Sequence, residues 1–174
     1  LGGGEQTNTQ LINVTGPDAI VDWVMLEQRD GLDPTRILAT GSALLQRDGD
    51  IVAADGTAPC TMPLVIGWHH LAIRHRNHLG AMSAAPIFFS STATTSMDLS
   101  DPAFPTYGID AMRTLGTVRM HWPGDILRDG TIKYAGEDND RDPILVAIGG
   151  VVPTNETVGY RTTDITLDGV TKYT

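Results

Sequence analysis

Asp125-Ile-Leu-Arg-Asp-Gly-Thr-Ile-Lys-Tyr134 is answered, 39 residues further on, by Asp164-Ile-Thr-Leu-Asp-Gly-Val-Thr-Lys-Tyr173. Each stretch carries an acid at its first and fifth positions, a glycine at the sixth and Lys-Tyr at its end. Acids two or four places apart fall on the inner side of a tightly wound loop, and glycine supplies the sharp bend that closes it. This is the pattern of a chain folding around a hard cation that seeks oxygen, calcium above all, and such a cation takes about six to eight oxygens.

In the first stretch Asp125 and Asp129 are the candidate ligands, Gly130 is the bend, and the Thr131 carbonyl falls at the seventh position. Leu127 occupies the third position and has no oxygen to offer. Further along, Glu137, Asp138, Asn139, Asp140 and Asp142 form a dense group of oxygen donors, and Asp140 and Asp142 are expected to swing back and complete the site. The second stretch offers Asp164, Thr166 and Asp168, with Gly169 as its bend. The competing reading is that Asp-Gly pairs only make hairpin turns, as at Asp48-Gly49 and Asp55-Gly56. Repetition and the adjoining acidic group favour the cation.

Composition supports a compartment and a class. The 174 residues suffice for one well-filled core, or for a core with a smaller appendage. Nineteen glycines and ten prolines imply many turns and favour strands over a helical bundle. A net charge of -9 leaves no basic face for nucleic acid and suits bound divalent cations. Cys60 is alone, so no disulfide can form within the chain, and calcium would supply the missing staple of a secreted protein. No run of 18 apolar residues occurs, which argues against a membrane-spanning helix. The start, Leu1-Gly-Gly-Gly4, reads as an excised piece of something longer.

Going upstream from the acidic stretches, Asp142 and Pro143 are expected to open a two-turn helix that Gly149 or Gly150 ends. Ile20–Gln28 is apolar on both faces and reads as a central strand. Ile37–Leu45 is a second strand; Asp48-Gly49 turns the chain back into Ile51-Val52. Strands follow at Trp68–Arg76, Ile87–Phe89 and Thr94–Leu99. About seven short strands between residues 20 and 100 predict a β-sandwich of immunoglobulin-like size.

Catalysis finds no support: the chain has no Gly-x-Ser-x-Gly elbow, phosphate loop or His-Glu-x-x-His pattern. His69, His70, His75 and His78 scatter over both faces of a strand and do not assemble a zinc site. Arg74–His78 reads instead as a polar strand end whose side chains tie down neighbouring loops. Trp68 and Trp122 stand near turns, and if they share an exposed groove they would favour carbohydrate binding.

Three segments, Arg74–Met82, Asn139–Leu145 and Leu44–Asp50, resemble a module that recurs in large secreted or surface proteins of Bacteroidetes-type bacteria, over residues 15–174. The resemblance implies a β-sandwich followed by paired calcium loops like those of dockerins, near the C-terminal part of exported multidomain proteins. Loops of that group read Asp-x-Asn-x-Asp-Gly; here Leu127 and Thr166 replace the Asn. The group's module begins upstream of Leu1, which implies a missing strand whose edge another subunit fills, with Gly2–Val14 as donor.

The sequence therefore predicts a mainly β protein: a lead-in or donor segment at 1–14, an immunoglobulin-like β-sandwich at 15–100, a linker at 101–117 and a small dockerin-like calcium-loop unit at 118–174. The expected function is that of a calcium-stabilised, secreted or cell-surface structural or adhesive module, in a filament or beside other domains of a surface protein. The alternative is a carbohydrate-binding accessory module of a secreted enzyme.

Overall fold

The computed structural model describes residues 4–173, in which the chain forms ten strands and one α-helix. It is mainly β and divides into two compact units. One takes the chain up to His75 together with Gly80–Met120; the other takes Arg76–Leu79 and the chain from His121 onward.

The first unit is built on β1 (Ile20–Asp30), β2 (Ile37–Gln46), β3 (Ile51–Val52), β4 (Gly67–Arg74), β5 (Ala81–Met82) and β6 (Ile87–Phe89). These make one antiparallel sheet in the order β3-β2-β1-β4-β5, with β6 also pairing β4. β1 is central, as its two apolar faces predict. Its register sets Val24 opposite Ala43 and Leu26 opposite Ile73, so these four buried residues line one face. Leu99, Met112 and the half-buried Cys60, Met62, Met97 and Phe104 pack against that face. They come from segments outside the large sheet, so irregular chain supplies one side of this core.

Thr94–Leu99 is one of those segments, and the expected strand there is not formed. Met97 and Leu99 enter the core, but the amides that follow turn to a side chain: Ser100 and Asp101 both donate to Asp98 Oδ1. Burial thus produced the apolar pattern without a ladder. Gln28, fully buried in β1, pins another irregular run by accepting the Val65 amide at 2.9 Å and donating to the Val65 carbonyl at 2.6 Å. Residues 5–13 fold onto this unit too. Ser42 donates to Glu5, Thr7 donates to the Ala54 carbonyl, and Leu11 lies over Gly56. Gly2 and Gly3 of the expected donor segment lie outside the described residues. A hairpin of β7 (Arg113–Leu115) and β8 (Val118–Met120) follows.

The second unit holds α1 (Arg141–Ala147) and the antiparallel pair β9 (Glu156–Val158) and β10 (Val170–Lys172). The helix forms where expected but starts ahead of Pro143. Asp140, not Asp142, stands at the N-cap and makes no side-chain cap bond; Asn139, one residue ahead, accepts the Asp142 amide on Oδ1 at 2.9 Å. Gly149 and Gly150 end it, both with positive φ. Among the described residues no helix is long and apolar enough to cross a membrane.

Candidate functional site: the repeated acidic loops

The two acidic stretches share more than sequence. Arg128 and Leu167, at the fourth position of each, have φ of 59° and 60°; Gly130 and Gly169, at the sixth, have φ of 83° and 81°. Left-handed backbone at a non-glycine residue costs on the order of 1–2 kcal/mol, so its recurrence at the same position marks one loop built twice.

The same carboxylate bonds hold both loops in shape. Asp125 Oδ2 accepts the Gly130 amide at 3.2 Å, and Asp164 Oδ2 accepts the Gly169 amide at 3.0 Å. Asp129 Oδ1 accepts the Thr131 amide at 2.8 Å, and Asp168 Oδ1 accepts the Val170 amide at 2.9 Å. In each loop the first acid is buried and the fifth faces solvent.

Asp125 also takes the Asp129 amide on Oδ1 at 3.1 Å. An ionised carboxylate has about four acceptor positions, so these two amides leave lone pairs for a cation. Burial pushes the Asp125 carboxyl above the usual aspartate value; the Gly130 and Asp129 amides pull it down, and the charges of Asp129 and Asp140 push it up again. A divalent ion here would relieve that repulsion.

Asp140 is buried and committed to the backbone. Its Oδ1 accepts the amides of Ile126 and Leu127 at 2.8 and 3.1 Å, and its Oδ2 accepts the Lys133 amide at 2.8 Å. It thereby ties the two ends of the first loop together. Asp142 is exposed in the first turn of α1, where Oδ2 accepts from Asn139 Nδ2. Thr131 is exposed beyond the bend, and Thr166 Oγ1 lies 3.4 Å from Asp164 Oδ1.

The second loop is held by residues that sequence reading placed only in general terms. Asn77, fully buried, donates through Nδ2 to the carbonyls of Thr162 and Asp164 at 2.9 and 2.6 Å. Its own carbonyl accepts the Gly124 amide, one residue ahead of the first loop. Arg76 Nη2 lies 3.6 Å from Asp164 Oδ2, and the guanidinium sits over the Tyr160 ring at 4.4 Å. The expectation that Arg74–His78 ties down loops holds for these two residues. Arg141 lies over Tyr134 and Tyr173, equivalent positions of the repeat, at 4.5 and 5.5 Å.

The donor set of the first loop is all oxygen and suits a hard cation. Among the described residues no three His, Cys, Asp or Glu side chains are gathered as a ready-made metal site. Asp125 and Asp129 would hold the ion, and carbonyls and water would complete its shell. Comparison with family models, curated proteins and solved structures gave no match.

Proposed function

We propose that this chain is a calcium-stabilised extracellular structural or adhesive module, whose acidic tail takes its working shape on binding the ion. The finer architecture belongs to the same proposal: an immunoglobulin-like first unit and a dockerin-like second one. The observation that carries the reading is the doubled loop, with matching left-handed positions and matching carboxylate-to-amide bonds. Those bonds outline the loop, and an ion held by Asp125 and Asp129 would stabilise the first loop in that shape. Bound calcium favours the native tail by mass action.

Calorimetric titration of the metal-free chain with calcium tests the reading. Saturable binding is expected, with at least about a tenfold loss of affinity in D125N and in D129N, since each removes an anionic ligand. Equal affinity in wild type and both variants would refute it.

A second reading keeps one observation of its own. Trp68 is 66% exposed and Phe88 49% exposed, and their rings pair across β4 and β6 with centroids 5.5 Å apart. Such an exposed pair can stack on the apolar face of a sugar, and quenching of Trp68 fluorescence by an oligosaccharide would support it.

A further inference from the structure

We infer that the two loops are closed by different cations: a divalent ion in the first and the chain's own Arg76 in the second. The inference rests on the calcium reading above and refines it.

The acids of the repeat match, but their basic neighbours do not. In the second loop both acids are answered by the chain. Asp164 has Arg76 Nη2 at 3.6 Å, and both side chains are more than nine-tenths buried. Asp168 has Lys172 Nζ at 3.4 Å. The first-loop counterpart of Lys172 is Lys133, and its ammonium turns away to donate to the Glu137 carbonyl. Among the described residues, neither Asp125 nor Asp129 has a Lys, Arg or His within ion-pair distance.

Physical consequences follow from that asymmetry. Calcium entering the second loop would have to compete with the Arg76 guanidinium for Asp164 and break a buried ion pair, which is unfavourable. Stacking on Tyr160 also fixes Arg76 in place, so it has no easy way to withdraw. Nothing in the first loop opposes an ion, and two neighbouring carboxylates attract one. The second loop should therefore be formed without metal, while the first depends on it.

The test combines ion counting with hydrogen exchange on the full chain. Equilibrium dialysis against saturating calcium should give one ion per chain, held at least about tenfold more weakly by D125N. In chelator the Gly169 amide should exchange more slowly than the Gly130 amide by roughly tenfold or more. R76Q should erase that difference, and R76K, which keeps the charge, should retain part of it even if R76Q unfolds the tail. Two ions per chain, or an ion that D125N still holds with wild-type affinity, would overturn the inference while calcium binding itself stands. Equal exchange at Gly169 and Gly130 in chelator would overturn the role of Arg76. No bound ion at any calcium concentration would overturn both the calcium reading and the inference built on it.

Discussion

Asn77 organises the tail out of proportion to its size. Its amide group satisfies two carbonyls at the entrance to the second loop, and its backbone carbonyl receives Gly124 ahead of the first. Asn77→Ala would leave the Thr162 and Asp164 carbonyls without this donor, at a cost of about 1–3 kcal/mol to the second unit. Asn77→Asp keeps the shape but supplies no N–H, so it should cost at least as much; urea unfolding of both variants checks this. The sequence showed a polar strand end at Arg74–His78 but not its target. Its partners lie 85 and 87 residues further along, and no local spacing encodes a contact of that separation.

Elements with a local cause were the most legible. β1, β2 and the turn at Asp48-Gly49 follow from apolar patterning and from glycine at φ of 101°. Thr94–Leu99 shows the limit, because burial without a partner strand leaves the same apolar trace as burial within a sheet. Turns also carry a pH signature. Asp55 accepts the amides of Ala58 and Thr57 at 2.8 and 2.9 Å, and these bonds hold its carboxyl below the ordinary aspartate value. A lowered folded value means a stabilisation that is present above the unfolded titration and lost as acid protonates the folded group. D55A should therefore be less stable than wild type at neutral pH, and the gap should close on acidification below about pH 4. Urea midpoints measured from pH 7 to pH 3 would show it, and a gap independent of pH would contradict it.

At the scale of the whole molecule the two units rest on different forces. The first has a continuous apolar core around Val24, Leu26, Ala43 and Ile73. The second buries few apolar side chains, chiefly Ile126, Ile144 and Ile148, beside buried Asp125, Asn139, Asp140, Asp164 and Thr171. A unit held so largely by carboxylate-to-amide bonds should respond to calcium far more than one held by packing. Chelator should speed amide exchange around the first loop, at residues 124–134, and leave β1, β2 and β4 unchanged; uniform acceleration across both units would count against this division. The acidic repeat revealed the loops themselves, since the carboxylate-to-amide bonds that bend them close within ten residues. It did not reveal that Asp140 spends its oxygens on three amides, because that depends on how the chain returns to the loop.

The most direct test is a crystal structure grown in excess calcium, with anomalous scattering used to locate the ion. The account predicts a calcium peak bound by carboxylate oxygens of Asp125 and Asp129 at roughly 2.3–2.6 Å. Well-ordered carboxylates at Asp125 and Asp129 with no peak between them would contradict it.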